Sequence, residues 1–349
     1  MWLRLLFAVI LLTAFAVAWE RLDRIPIQVV GQPSVTGEIQ QREQAFFEQL
    51  AELTGLPLEV RYTPVDQLGI KDTYQLSMLG SRALDLVSLR FLQNANVEPT
   101  LLGLDLLGGV PDFVTARAIA DVYAPTLDRR LQRNFNSKLL GVWPFGPQVF
   151  FCRTAIRGLE DLAGRKVRVG NDNFSPLIAH FGGTPVVIPF EDVEVALKNG
   201  LVDCAITSAT SGNAAGWPKH CTHFFGLGMQ MGINGYAVSL GLWNRLSKEQ
   251  QTRLERAFDE YVASIWVTAE QVHRESSACN VGGPCPRGTP YRLIDVVPSE
   301  QDHRRLSVAF EQTTFLDWAE KCDRLHPGCS VDWKARVLPA LAARRSETQ

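Results

Sequence analysis

The first half of the chain alternates short β-rich runs with longer stretches of helical period. The run 25–30 is apolar except for Gln28, apolar residues recur in 58–62 and 83–88, and each of these runs has the length of a strand. Residues 38–54 place their large apolar side chains on one helical face, and 71–79 can form a second helix. The order strand, helix, strand, helix, strand predicts a parallel sheet with right-handed crossovers.

The same order of elements recurs in the second half of the chain. We expect strands at 166–169, 185–188 and 203–207, with helices at 175–181 and 191–198 between them. Two such halves predict the α/β class, in a two-domain architecture with a ligand cleft between the domains. A cleft of this kind is a common place to capture a small solute.

A long helix is predicted behind the second half. Ser247 and Gln250 form a capping box, and apolar residues then recur at helical spacing through 254–272, over about seven turns. Such a helix is either an ordinary core helix or a rod that lies across both domains, and the predicted architecture takes the second form. The predicted domains are 19–147 plus 233–272 for the first, and 148–232 plus 273–349 for the second.

The amino terminus indicates export from the cytoplasm. Residues 5–18 are apolar except for Thr13, and they end in the small-x-small pattern of Ala16, Val17 and Ala18. This run is shorter than the ~20 residues of a membrane span. We therefore expect residues 1–18 to be a cleaved signal peptide, with an uncleaved anchor as the alternative.

Composition narrows the possible classes of function. The chain has 349 residues, 46% of them hydrophobic, so it is long enough for two packed cores. Lys and Arg number 35 against 37 for Asp and Glu, and this balance excludes a nucleic-acid binder driven by bulk positive charge. We expect no nucleic-acid partner.

Seven cysteines fit an oxidising compartment. Cys279 and Cys285 bracket one turn-rich loop, and Cys322 and Cys329 bracket another, so each pair is a disulfide candidate. The pairing of the other three stays open, with at least one thiol expected to be free: Cys152, Cys204 and Cys221. No CxxC or HxxxH spacing is present, and we expect no metal site.

Three segments carry a resemblance to a known family. They read IRGLEDLAGRKVRV at 156–169, GGTP at 182–185 and PFEDVEVALKNGLVDCA at 189–205. The chain resembles the periplasmic solute-binding proteins of TRAP transporters, the DctP-like family. The similarity covers most of the chain after the signal, is strongest over 139–246 and is weaker before residue 84.

The resemblance implies roles for individual residues. The family holds a substrate carboxylate with one arginine, and Arg168 occupies that position. A guanidinium is suited to this role because it can donate two parallel N–H bonds to one carboxylate. Phe190 matches an aromatic that packs on the solute, although plain core packing is the alternative. Thr207 stands where the family usually has an asparagine, and Gln148 lies near the place of a second family arginine, so the usual specificity cannot be assumed.

Four further residues are candidates for the cleft. The turn around Thr36 follows the first strand and could aim backbone N–H groups at an anion. Ser208 follows Thr207 and could select polar groups. Trp217 ends a loop rich in small polar residues and could form a cleft wall or anchor the loop, and Tyr236 is a weaker wall candidate.

The resulting hypothesis is a periplasmic binding protein that captures a small organic acid by hinge closure and delivers it to TRAP permease subunits. It would need no cofactor, and a homodimer is possible. The first alternative is a ligand-sensing module without transport. The second is a secreted hydrolase, and the absence of GxSxG, HExxH and SxxK motifs argues against it.

Overall fold

The computed structural model describes residues 24–106 and 112–347, and it describes side chains up to residue 343. The expected signal peptide, residues 1–18, lies outside the described residues. Within them, no helix is both long and apolar enough to cross a membrane.

The first sheet has five strands in the order β2-β1-β3-β10-β4. Both β2 and β3 run parallel to β1, as the pattern of the first half predicts. The sheet is nevertheless mixed, because β10 pairs antiparallel with β3 and β4. The strand bounds are β1 Ile25–Gly31, β2 Leu58–Pro64, β3 Leu86–Leu89, β4 Ser137–Pro144 and β10 Ile233–Ser239.

The second sheet has six strands in the order β11-β9-β5-β8-β6-β7. Both β7 and β8 run parallel to β6, whereas β5 is antiparallel to its neighbours β8 and β9. The bounds are β5 Gln148–Cys152, β6 Lys166–Val169, β7 Thr184–Val187, β8 Cys204–Ser208, β9 His223–Phe225 and β11 Ile294–Val296. We call each sheet with the helices that pack on it a lobe, the five-stranded one being the first.

Helices cover the sheets and connect their strands. In the first lobe they are α1 Glu38–Thr54, α2 Gln75–Gly80, α3 Phe91–Asn94, α4 Phe113–Phe135 and α8 Leu240–Trp243. In the second they are α5 Ser175–His180, α6 Val193–Lys198 and α7 Ala209–Ala214. The carboxyl-terminal part adds α9 Lys248–Val281, α10 Glu300–Gln312, α11 Thr314–Leu325 and α12 Cys329–Glu347.

The chain passes between the lobes twice before α9. It leaves the first sheet between β4 and β5 and returns between β9 and β10. These two crossings connect the lobes ahead of α9. The predicted domain boundaries themselves stay a prediction.

The helix α1 spans the predicted residues because local sequence signals set both its ends and its buried face. Phe46, Phe47 and Leu50 point into the core. Gly55 ends the helix in the left-handed conformation at φ 62°, which a glycine adopts without the steric cost of a β-carbon.

The helix α9 is the predicted rod across both lobes. It has 34 residues, starts with the predicted capping box at Ser247, and at 1.5 Å per residue is about 50 Å long. Trp266 donates from its indole Nε1 to the carbonyl of Val142 in the first sheet, at 2.8 Å. Near its other end, Ser276 bonds to Thr210 of the second lobe at 2.9 Å.

Three disulfides and one free thiol account for the cysteines. The candidates Cys279–Cys285 and Cys322–Cys329 are bonded as expected. The pairing left open is Cys152–Cys204, which joins facing residues of the adjacent strands β5 and β8. Cys221 is the free cysteine among the described residues, and burial raises the pKa of its thiol to about 12.

The last helices connect both lobes. Helix α10 packs on α5 of the second lobe, whereas α12 packs on α4 of the first. Two buried indoles hold this segment to the first lobe: Trp318 donates to the carbonyl of Pro99 at 2.7 Å, and Trp333 donates to that of Gly103 at 2.6 Å.

Candidate functional site

A cavity lies between the two sheets, where strand ends from both lobes meet. It holds about 750 Å³ of space between atoms, part of it open to solvent. The first lobe contributes Thr36, Arg90, Gln93 and Asn234, the second contributes Gln148, Arg168, Phe190 and Thr207, and the crossing between β9 and β10 contributes Gln230.

Arg168 reaches the cavity from the end of β6. Lys166 is exposed at the start of this strand, whereas Val167, Arg168 and Val169 are all buried. The guanidinium donates from Nε to the carbonyl of Ile188 and from Nη1 to that of Ile206, both at 2.9 Å. Three of its five N–H groups therefore have no partner among the described residues.

The charge of Arg168 is buried and uncompensated. Its side chain forms no ion pair with any described carboxylate, and the residue is only 3% exposed. Burial lowers the pKa of its guanidinium to about 9, and the positive charge of Arg90 acts in the same direction. The group still carries its charge at neutral pH. A buried charge without a partner is costly, so this site favours an anion.

The two aromatic residues predicted for the cleft take different positions, and only Trp217 lies against this arginine. Phe190 lines the cavity. Trp217 stands behind it, fully buried, with its ring centroid 5.3 Å from that of Phe190. The structure therefore brings Trp217 against the guanidinium and not to the cavity wall.

Thr36 lines the cavity, but the anion-binding turn expected around it does not form. Its amide donates to the carbonyl of Pro33 at 2.9 Å, and the amide of Gly37 donates to Ser34 at 3.1 Å. The Thr36 hydroxyl also donates to Pro33. These donors close a short 3-10 turn and are not free for a ligand.

Thr207 and Gln148 line the cavity, whereas the neighbouring Ser208 does not. The Ser208 Oγ accepts a bond from the amide of Ser211 at 3.1 Å and so caps α7. Successive residues of a strand point to opposite faces, which explains why only one of the pair reaches the cavity.

Tyr236 is a correction to the predicted wall. It is 1% exposed and lies in the core of the first lobe, among the rings of Phe47, Trp143 and Phe258. The strand β10 that carries it lies inside the sheet between β3 and β4, and all seven of its residues are buried. Its ring therefore serves packing.

Arg90 is a cavity residue that the sequence pattern does not single out. It directly follows the strand β3, as Arg168 lies at the end of β6, and that parallel is the signal that could identify it. Its Nη1 is hydrogen-bonded to the carboxylate of Asp72, and both side chains are largely buried. The pair is thus close to neutral.

Side-chain amides form the other unanticipated part of the lining. Gln93, Gln230 and Asn234 join the predicted Gln148 around the cavity. Together with Gln148 these amides come from three separate stretches of the chain, near residues 93, 148 and 230–234, so no local motif marks them. Among the described residues, no group of three or more His, Cys, Asp and Glu side chains could hold a metal ion.

The lobes touch beside the cavity. A β-carbon at Gly170 would lie 3.0 Å from Cδ2 of Leu92, so the Leu92 side chain would have to shift to admit a larger residue. Asn171 Nδ2 donates to the carbonyl of Leu92 at 2.5 Å. These contacts close one side of the cleft.

Solved structures of solute-binding proteins share this fold. A Bordetella pertussis extracytoplasmic solute receptor that binds pyroglutamic acid is 16% identical, with a TM-score of 0.78, over 90% of this chain and 99% of that one. A TRAP solute-binding protein of Desulfovibrio desulfuricans, with bound sn-glycerol-3-phosphate, is 18% identical. Its TM-score is 0.78, and the match covers 92% of this chain and 97% of that one. A TRAP solute-binding protein of Haemophilus influenzae with bound L-gulonate is 19% identical. Its TM-score is 0.75, and the match covers 90% of this chain and 99% of that one.

The family model for bacterial extracellular solute-binding protein, family 7, named DctP, matches residues 34–280. This match covers both lobes and most of the long helix α9. The description of this family is that of solute-binding proteins. The chain belongs to the DctP family of bacterial extracellular solute-binding proteins.

Proposed function

We propose that this chain captures a small organic acid in the cavity between its lobes, with Arg168 holding the carboxylate. The observation that carries this proposal is the burial of the Arg168 guanidinium without an acidic partner among the described residues. Two carbonyls hold the side chain in place, and the remaining N–H groups can make two parallel bonds to one carboxylate.

Three of the relatives support a carboxylate as the ligand, whereas the Desulfovibrio desulfuricans relative holds a phosphate ester, sn-glycerol-3-phosphate. Structures of the same fold are described with bound pyroglutamic acid, malonate and L-gulonate. These compounds differ in shape and share a carboxylate. We infer the same class for this chain, which binds its solute without transforming it.

We propose that Thr207 and Gln148 contact the polar part of the solute and that Phe190 covers its apolar part. Trp217 supports the guanidinium from behind, and Thr36 adds to the wall from the first lobe. Ser208 and Tyr236 have no part in this proposal. Phe190 shields the charged contact from water, and an electrostatic contact in a dry site is stronger than the same contact in water.

The lobes close by a hinge in this proposal. The moving bodies are the predicted domains, 19–147 plus 233–272 and 148–232 plus 273–349. Closure removes water from the cavity and adds contacts from the second body, as in other two-lobed binding proteins.

The proposed partner is the membrane permease of a TRAP transporter, and the proposed location is the periplasm, reached through the signal at residues 1–18. Membership of an extracellular solute-binding family supports both.

A sensing role without transport would use the same cleft, and permease genes beside this one would favour transport. A homodimer finds no support in the comparisons and is not proposed.

Calorimetry on Arg168 variants tests the proposal. We expect R168A to weaken binding of the best acid from an organic-acid library by about 2–5 kcal/mol, because the buried carboxylate loses its partner. R168K keeps the charge and loses the paired geometry, so its affinity should fall between those of the wild type and R168A.

The matched control is R157A, which removes an exposed arginine that pairs with Asp161 on the surface. It should bind as the wild type does. Binding by folded R168A that equals that of the wild type would contradict the role of Arg168, with circular dichroism confirming that the variant is folded.

A further inference from the structure

The charges around the cavity sum to a single positive charge. Arg90 and Arg168 are the charged residues among the described lining. Arg90 is paired with Asp72, so that pair contributes little net charge. Glu191 also acts on Arg168, but its side chain is exposed and water screens it. One unpaired guanidinium matches one negative charge on the ligand.

Gln230 provides a buried acceptor that nothing in the described chain satisfies. The residue is 5% exposed and lines the cavity, and its Oε1 is buried without a hydrogen-bond partner. Its Nε2 also lacks a partner among the described residues. An unsatisfied buried amide costs about 1–3 kcal/mol, which a ligand that donates to it recovers.

The backbone around Gln230 is held tightly, so its side chain starts from a fixed place. Its carbonyl accepts from the amide of Gln148 at 2.8 Å, and the carbonyl of Gln148 accepts from Met229 at 2.9 Å. The next three amides, those of residues 231–233, donate to the carboxylate of Asp105 at 2.9–3.1 Å. A binding group on a fixed support is suited to selection.

From these observations we propose that the ligand is a monoanionic acid whose uncharged part carries an N–H or O–H donor, and that Gln230 selects it. This inference rests on the proposed function, because it places the carboxylate on Arg168. A second carboxylate would meet an arginine that is already neutralised, together with the acceptor of Gln230. A dianion would therefore enter with an uncompensated charge.

Calorimetry with four probes tests the proposal. Pyroglutamate carries one carboxylate and a lactam N–H, gluconate carries one carboxylate and hydroxyls, malonate carries two carboxylates, and cyclopentanecarboxylate carries one carboxylate and no donor. We expect pyroglutamate or gluconate to bind about 10- to 100-fold more tightly than cyclopentanecarboxylate and malonate. The better of the two shows whether the donor is an N–H or an O–H.

The variant Q230M keeps the size of the side chain and removes both polar ends. In this variant the affinity for the preferred probe should come within about 3-fold of the affinity for cyclopentanecarboxylate. Q271M makes the same change on the exposed face of α9. It should leave the ratio of the two affinities, which we call the selectivity ratio, as it is in the wild type.

Tighter binding of malonate, or a selectivity ratio that Q230M leaves unchanged, would overturn this proposal if R168A still weakens the binding of every acid. Binding of the acids by folded R168A with wild-type affinity would instead count against the proposed function. If no acid in the panel or in a wider library binds, both proposals fall.

Discussion

The guanidinium carbon of Arg168 lies 5.5 Å from the centroid of the Trp217 ring. The indole is fully buried and does not line the cavity, so it meets the arginine on the side away from the cavity. An aromatic face attracts a cation, most strongly where water is excluded. Trp217 can therefore orient the charge of Arg168 without touching a ligand.

Replacing this indole should weaken ligand binding indirectly. We expect W217L to reduce affinity about 2- to 30-fold, the equivalent of a cation–π contact of about 0.5–2 kcal/mol, and W217F to reduce it less. Calorimetry with the best acid measures this effect.

The control for this prediction is W243L. That change removes another buried indole with a cation over its face, Lys138 at 5.2 Å, far from the cavity lining. It should lower the melting temperature and leave affinity intact. Equal losses of affinity in both variants would mean that the effect is general destabilisation.

The contact of Asn171 with the carbonyl of Leu92 should favour the closed arrangement of the lobes. N171D keeps the acceptor for the amide of Asn173 and replaces the donor to Leu92 with an oxygen. Loss of one hydrogen bond of about 1 kcal/mol predicts an affinity about 5-fold weaker, since the binding-competent state becomes less populated.

Small-angle scattering on the ligand-free protein gives a direct readout of this change. The radius of gyration of N171D should exceed that of the wild type, whereas N244D, at an exposed asparagine, should match it. An unchanged radius together with unchanged affinity would refute a role for Asn171 in closure.

Two of the disulfides, which close loops of very different length, should differ in their effect on stability. Cys152–Cys204 closes 52 residues and Cys279–Cys285 closes six. Loop-closure entropy in the unfolded chain predicts losses of about 4 and about 2 kcal/mol when each bridge is removed. Urea unfolding of C152A/C204A and of C279A/C285A measures the two values, and a larger loss for the short loop would contradict the entropic account.

The buried His273 should make stability depend on pH. Burial lowers the pKa of its imidazole from 6.5 to about 4, and the charge of Arg274 acts in the same direction. As pH falls, the unfolded chain therefore takes up a proton at His273 at a higher pH than the folded protein does. The contribution of the neutral His273 is complete above pH 6.5 and is lost as pH falls towards 4, by about 3 kcal/mol.

Comparison with H273Q isolates this contribution. The free energy of unfolding of the wild type, relative to H273Q, should fall by that amount between pH 6.5 and pH 4. V267T, an exposed change on the same helix that removes no titrating group, should show a difference from the wild type that does not vary with pH. A constant difference for H273Q as well would rule out His273 as the cause.

The sequence alone determines the local elements and one side of the site. The order of strands and helices follows from apolar periodicity, and the bounds of α1 follow from its apolar face and Gly55. Arg168 was identifiable because the residues around it form a dense family pattern on consecutive elements. Disulfides that close six or seven residues are likewise visible from spacing.

Only the tertiary structure decided which distant segments meet. The strand β10 enters the first sheet between β3 and β4, where all seven of its residues, Tyr236 among them, are buried. The same assembly pairs Cys152 with Cys204 and brings Arg90, Gln230 and Arg168 to one cavity. Periodicity records how a segment presents its own faces, whereas these meetings depend on how whole sheets pack, which no local pattern encodes.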